Sequence, residues 1–213
     1  MRAGLVLVKR ITGIKFAGTT TWNRTTNLTD GTALGTVVHN PADTAGNDLN
    51  AKWPAAYLVG AYDAGKIKPG DELEYTIYYL NAKGADAKSL KICDPIRGKQ
   101  TYTNSSMQLQ PGSSTTPITL TDATDSPATD RANYYSSGAA NVPSGCNAGS
   151  ATTLTTLVGG VSTATRDNGG VVIGITGSGS TPQPDLTVVP SATSAGTPTA
   201  SYGWFRFTTK VDP

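Results

Sequence analysis

The chain has little of what most enzymes and nucleic-acid-binding proteins carry. Among 213 residues there are one histidine and two cysteines, and charged residues make up only 15% of the composition. The net charge is +2, and no run of basic residues extends beyond the pair Lys9-Arg10. Since a nucleic-acid partner requires a concentrated basic surface, we expect no nucleic-acid partner.

The residues that catalysis and metal binding require are also scarce. His39 stands before Asn40-Pro41 in a predicted loop, and there is no G-x-S-x-G motif. Neither cysteine has a histidine nearby in sequence, and two cysteines with one histidine do not form a zinc pattern. We therefore expect no enzymatic activity, no cofactor and no metal.

Two loose groups of acidic and amide residues lack the ordered spacing of a calcium loop. We interpret them as solvated loop side chains, with calcium binding as the alternative. They are Asp43, Asn47 and Asp48, and Asp122, Asp125 and Asp130.

Long hydrophobic runs are missing as well. No apolar stretch approaches the ~18 residues of a membrane span, so no span is expected. The apolar residues between positions 3 and 8 are too few for a signal-peptide core, and no A-x-A cleavage pattern follows. If the protein is secreted, we expect this chain to be the form without its signal peptide.

Threonine, serine and glycine fill the composition, and alternating segments between them predict an all-β fold. From Leu73 to Leu80 apolar side chains recur at every second position, which predicts a half-buried strand. A turn at 81–86 and a short strand at Leu90–Ile92 complete a predicted hairpin between Ile67 and Ile96.

The chain ends on a second long alternating strand. From Tyr202 to Val211, Phe205 and Phe207 are predicted to point inward and Trp204 outward. Two such strands as antiparallel partners predict a β-sandwich. We expect one domain over residues 1–213, with 13–63 and 108–200 as long loop insertions that include short strands at Leu154–Val158 and Val171–Ile175.

The first strand is unusual because it is apolar on both faces. It contains Leu5, Val6, Leu7 and Val8, followed by Lys9, Arg10 and Ile11. Such a strand is either covered on two sides within its own domain or docks into a neighbouring subunit by strand addition. At a free end it would be prone to aggregation unless something covers it.

The cysteine pair indicates an oxidising compartment. We expect one disulfide between Cys93 and Cys146, with two unrelated buried thiols as the alternative.

Four segments together resemble a known family. They are L-V-L-V-K-R-I-T, K-P-G-D-E-L-E-Y-T-I-Y-Y-L-N, I-C-D-P-I and Y-G-W-F-R-F-T-T-K-V. The chain resembles the conserved-repeat family listed as domain of unknown function 11, above all its secreted single-domain cyanobacterial members, over about residues 3–16, 57–107 and 200–212. The resemblance implies an immunoglobulin-like β-sandwich in an extracellular or cell-surface setting, and it brings no catalytic residues. Arg97-Gly98-Lys99 departs from the family pattern after D-P-I.

The function that fits these features best is structural. We expect an extracellular or cell-surface fibre subunit that assembles with copies of itself, residues 3–11 of one copy completing the sheet of the next. The alternative is a monomeric adhesin-like module that binds surface glycans through Trp22, Trp53 or Trp204, with Trp204 as the preferred contact. A third interpretation is a covalent crosslink from Lys9 or Lys210 to a neighbouring Asn or Asp.

Overall fold

The structure is a computed structural model, and it describes residues 2–24, 47–62, 64–120, 123–124, 131–137, 139, 154–158, 161–165, 167–177 and 187–213. In these residues the chain forms strands and one three-residue 3-10 turn, Thr199–Ser201. The strands are β1 Leu5–Lys15, β2 Glu72–Asn81, β3 Ala87–Lys88, β4 Lys91–Arg97, β5 Gln100–Tyr102, β6 Gln108–Pro111, β7 Ile118–Thr119, β8 Ala123–Thr124, β9 Ala132–Tyr135, β10 Leu154–Val158, β11 Val161–Thr165, β12 Asp167–Gly174, β13 Val188–Val189 and β14 Tyr202–Val211. Within the described ranges, no helix is long and apolar enough to cross a membrane.

Two sheets form the body of the fold. The first has the strand order β1-β2-β14-β6-β7, with β5 also paired to β14, and the second has the order β4-β12-β9-β8. Two small pairs, β10-β11 and β13-β3, form separate two-stranded sheets. Among the strands that the structure describes, pairing is antiparallel except between β8 and β9, which run parallel. The prediction of an all-β, antiparallel β-sandwich is confirmed.

The core lies between the two sheets. The first sheet contributes Ile77, Tyr79, Leu109, Phe205 and Phe207, and the second contributes Ile92, Ile96, Ala132, Val171 and Ile173. The prediction that the two long alternating strands are antiparallel partners is confirmed, because β2 and β14 pair along their length with Ile77 opposite Phe205. Inward-facing aromatic rings lie on both strands, and each such buried side chain stabilises the fold by ~1.5–3 kcal/mol.

The predicted hairpin between Ile67 and Ile96 is wrong. After β2 the chain does not return along it; instead β3 pairs with β13, and β4 pairs with β12 in the second sheet. Ile92 and Ile96 of β4 then meet Ile77 across the core. A period-two pattern indicates which side chains face inward, but it does not indicate which strand is the hydrogen-bonding neighbour.

The prediction that β2 is half-buried is also wrong, because both of its faces are covered. On the face away from the core, Glu74, Thr76, Tyr78 and Leu80 are all buried. Residues 47–62, which we call the covering layer, lie over this face and pack side chains against Tyr78 and Leu80. The apolar side chains that the covering layer contributes are Trp53, Tyr57, Leu58 and Val59.

The stretch 108–200, expected as a loop insertion, supplies strands to both sheets. It contains β6 and β7 of the first sheet and β8, β9 and β12 of the second. Most of these strands are only two to four residues long. Strands this short give little alternation for a sequence pattern to detect.

Candidate functional site

The first strand is the edge strand of the first sheet within the described residues, and it pairs with its own chain. β1 runs antiparallel to β2 from Leu5 opposite Asn81 to Lys15 opposite Glu72, with a register shift between Ile11 and Gly13. The pairing continues before β1, since the Gly4 amide donates to the Lys83 carbonyl at 2.6 Å. The N-terminal strand therefore completes the sheet of the chain that carries it.

The side chains of β1 alternate between the two faces of the sheet. Leu5 packs against the main core, whereas Val6 and Val8 pack beneath the covering layer. Ile11 is buried in a third cluster near the end of the strand. Leu7 is the exception, because it is 38% exposed. The strand is apolar on both faces because the sandwich core covers one face and the covering layer covers the other.

Lys9 and Arg10 point to opposite faces, and each meets an aspartate. The Lys9 Nζ lies 2.5 Å from Oδ2 of Asp94 on β4, so this ion pair joins the two sheets. Arg10 forms an ion pair with Asp48 of the covering layer, donates to the Gly60 carbonyl at 3.1 Å and stacks its guanidinium over a covering-layer aromatic ring. The two adjacent cations thus attach β1 to two different parts of the fold.

A cavity of about 220 Å³ surrounds the Lys9–Asp94 pair. The Lys9 Nζ lies 4.4 Å from the centre of the Tyr75 ring, a cation–π contact. On the cavity floor, Oε1 of Gln100 accepts hydrogen bonds from the Tyr75 hydroxyl at 3.1 Å and from the Thr209 hydroxyl at 2.8 Å. Burial raises the pKa of Tyr75, so this hydroxyl stays a neutral donor.

The polar groups that line this cavity are largely paired with one another. It contains one amine and one carboxylate that neutralise each other, and an amide whose acceptor oxygen is already used. A nucleophile held by a base and a base held by a third group, which acyl-transfer chemistry requires, do not occur among the residues that line it.

A second charged cluster lies on the outer face of the same sheet, around Glu74 of β2. The Glu74 carboxylate is 3% exposed and accepts a hydrogen bond from the Thr12 hydroxyl at 2.9 Å. It also forms ion pairs with Arg24 at 2.7 Å and with Arg206 at 3.5 Å. Burial lowers the pKa of Arg206, while the carboxylate beside it acts in the opposite direction.

The tryptophans considered as glycan contacts all pack against the protein. Trp204 is half-buried beside the cluster beneath the covering layer, and the Arg206 guanidinium lies 5.0 Å from its ring centre. Trp53 is buried and stacks on Tyr57 at 6.1 Å. Trp22 has Arg24 at 4.9 Å from its ring. The glycan contact at Trp204 stays a prediction.

The remaining predicted residues are only partly described. Cys93 lies half-buried on β4 opposite Val172 of β12 and carries no free thiol. Cys146 lies outside the described residues, so the Cys93–Cys146 disulfide stays a prediction. Lys210 is exposed on β14.

The acidic groups considered as calcium sites lie mostly outside the described residues. Outside the described residues lie Asp43 and the group Asp122, Asp125 and Asp130. His39, considered above for catalysis, also lies outside them. Across the ranges that are described, no three His, Cys, Asp or Glu residues come together as metal ligands.

The acids that hold β1 are not evident from the sequence. The sequence pattern places Asp48 in a solvated loop, and Asp94 only at the end of a strand. The one available signal is the adjacent pair Lys9-Arg10 inside an apolar strand, because strand geometry sends neighbouring side chains to opposite faces. It predicts two acidic partners without indicating where in the sequence they are.

Fold and site together define an antiparallel β-sandwich whose N-terminal edge strand is held by apolar contacts on both faces and by ion pairs of Lys9, Arg10 and Lys15. No protein-family model matches the chain, and no curated protein or solved structure matches it. The family resemblance drawn from its motifs, and with it the immunoglobulin-like topology, stays a prediction.

Proposed function

We propose that this protein is an extracellular structural protein, the subunit of a fibre in which β1 of one copy pairs with β2 of the next. The observation that carries this proposal is the packing of β1. A terminal edge strand places Leu5 in one apolar cluster and Val6 and Val8 in another. If β1 leaves, a groove with two apolar walls opens beside β2, and β1 of a second copy fits it with the same contacts.

Exchange of β1 conserves the interactions that hold it. The main-chain hydrogen bonds to β2, the apolar contacts and the ion pairs of Lys9, Arg10 and Lys15 form equally well within one chain or between two. The contact is heterologous, since a strand on one copy meets a groove on the next, so it propagates into a filament unless the rotation closes a ring.

The connection after β1 has to open for the strand to be exchanged. It is a turn in which the Thr19 amide donates to the Phe16 carbonyl at 3.0 Å and Gly18 has φ +80°. The Ala17 amide is held by the Asp71 carboxylate at 2.8 Å. Opening this turn also breaks the two main-chain hydrogen bonds between Ile14 and Asn23, at 3.2 and 2.8 Å, which β1 regains from Asn23 of the next copy.

The extracellular setting is supported by composition and by cysteine chemistry. Threonine, serine and glycine are abundant and charge is low. The predicted disulfide between Cys93 and Cys146 is typical of proteins from oxidising compartments. The motif resemblance to secreted surface proteins points to the same setting.

Negative-stain electron microscopy of the full chain tests assembly directly. We expect filaments from the full chain, and a soluble domain without filaments when residues 1–11 are deleted. Two substitutions at adjacent positions provide a matched control: Val8→Asp, at a position 3% exposed, abolishes filaments, whereas Leu7→Asp, at a position 38% exposed, leaves them intact.

Filaments that survive the deletion of residues 1–11 contradict the proposal. A full chain that stays monomeric at every concentration also contradicts it, and favours the alternative of a monomeric adhesin-like module.

A further inference from the structure

We infer that the charge pair Lys9–Arg10 sets the register in which β1 docks, and that it selects a second copy of this chain as the partner. The inference rests on the proposed strand exchange and adds the means of recognition. The site on the receiving copy consists of Asp94 on one face of the sheet and Asp48 on the other.

The two acids lie on different parts of the receiving copy. Asp94 belongs to β4 of the second sheet, and Asp48 belongs to the covering layer. Both acids are shielded, since the side chain of each is 14% exposed. A strand that forms ion pairs with both aspartates must carry two adjacent cations that point to opposite faces of the sheet. It can do so in only one register with β2.

A shift of β1 by one residue is excluded by the buried apolar sites of Val8 and Ile11, which lie on either side of Lys9 and Arg10. Moving β1 one position in one direction places Lys9 in the site of Val8, which is 3% exposed and apolar. Moving it one position the other way places Arg10 in the site of Ile11, which is 7% exposed. Either shift buries an unpaired charge, which is strongly unfavourable.

Shifts of two residues, which keep each side chain on its own face, fail for the same reason. In one direction Arg10 enters the site of Val8, and in the other Lys9 enters the site of Ile11. Every shift of one or two residues therefore places a charge in a buried apolar site, and at most one of the two aspartates keeps a cation beside it. Apolar residues alone permit slippage along a groove, and the adjacent cations remove it.

Charge reversal in the full chain tests this inference. In Lys9→Glu the strand carries a negative charge opposite Asp94, and in Asp94→Lys the groove carries a positive charge opposite Lys9. Like charges in contact disfavour docking, so each variant alone should pellet at least ~10-fold less filament than the unmodified chain. Lys66→Glu, at an exposed lysine outside the site, is the control of equal charge and should assemble normally.

Mixing the two variants restores every contact, but only between different copies. The acidic strand of the Lys9→Glu variant then meets the basic groove of the Asp94→Lys variant, and the unmodified strand of the second meets the unmodified groove of the first. We expect an equal mixture to form filaments in which the two variants alternate. The double variant, Lys9→Glu with Asp94→Lys, should assemble alone, and its recovery shows that the single variants fail because like charges meet, not because either substitution is harmful by itself.

The outcomes separate this inference from the proposed function. If the single variants assemble like the unmodified chain, the inference is overturned while strand exchange stands. If the double variant assembles but the mixture does not, the ion pair between positions 9 and 94 forms only within one chain, and the inference is overturned. If the full chain forms no filament at all, both the proposed function and the inference fall.

Discussion

Arg24 directs two of its nitrogens at a single oxygen of Glu74: Nε lies 2.9 Å and Nη2 2.7 Å from Oε2. The other carboxylate oxygen accepts the Thr12 hydroxyl at 2.9 Å and lies 3.5 Å from Nη1 of Arg206. A carboxylate that is 3% exposed is thus paired through both oxygens. This cluster attaches the segment around Arg24 to the outer face of the first sheet.

Replacing Glu74 by Gln should destabilise the fold by about 2–3 kcal/mol, because two guanidinium groups lose the negative charge that pairs them in a shielded site. Glu72→Gln is the matched control on the same strand, where the carboxylate that pairs with Lys15 is 20% exposed and the expected cost is below ~1 kcal/mol. Urea unfolding measures both free energies. Equal losses for the two variants contradict the importance of burial at Glu74.

The covering layer should contribute much of the stability of the first sheet. Trp53→Ala removes a buried ring that stacks on Tyr57, together with the 2.8 Å hydrogen bond from its indole to the Asn47 carbonyl. The expected loss is about 3–5 kcal/mol. Trp22→Ala removes a half-buried ring with cation–π contacts to Arg24, for an expected loss of about 1 kcal/mol. If the Trp53 variant is as stable as the Trp22 variant, the covering layer does not pack as described.

Gly203 on β14 should not tolerate a methyl group. A Cβ at this position would lie 2.3 Å from the Tyr79 hydroxyl oxygen and 2.7 Å from the Gln110 carbonyl oxygen. Because both neighbours are held in the sheet, Gly203→Ala should cost about 1–3 kcal/mol. Gly174→Ala on β12 is the control, since its nearest contacts are at 3.6 Å and the change should stay within ~1 kcal/mol. Thermal unfolding distinguishes them, and similar midpoints for the two variants contradict the close packing.

Stability should fall at alkaline pH because of buried tyrosines. Burial raises the pKa of Tyr78 from 10.0 to about 12 and also raises the pKa of Tyr57 and Tyr79. The unfolded chain loses these protons near pH 10 while the folded chain keeps them. The free energy of unfolding is therefore undiminished below pH 10 and decreases as the pH rises towards 12.

Urea unfolding at a series of pH values measures this decrease, and the ultraviolet absorbance of tyrosinate measures the titration itself. Tyrosines that all titrate near pH 10 while the chain stays folded contradict the burial of this group.

Intact mass tests the covalent state of the chain. We expect a mass lower than the sequence sum by two hydrogens, for the Cys93–Cys146 disulfide, and a disulfide-linked peptide after proteolysis without reductant. We expect no loss of water, because Lys9 is 41% exposed and its hydrated ammonium pairs with Asp94 as an ion. A mass lower by one water indicates an amide between these two side chains and supports the crosslink interpretation instead.

The sequence alone predicts several elements closely, because alternation is a local property. The strand predicted at Tyr202–Val211 matches β14 at both ends, and the one predicted at Leu73–Leu80 lies one residue inside β2 at each end. The strand predicted at Leu154–Val158 also matches. The inward positions on β14 follow correctly from the period-two pattern, since successive side chains of a strand face opposite ways.

The tertiary structure alone decides the contacts between distant segments. Lys9 and Asp94 are 85 positions apart, Arg10 and Asp48 are 38 apart, and Glu74 and Arg24 are 50 apart. No local pattern encodes such partners, because each depends on how the strands pair and on what covers each sheet. The sequence by itself determined that the first strand is apolar on both faces. Only the packing of the second sheet and the covering layer decided what covers each face and which aspartates pair with Lys9 and Arg10.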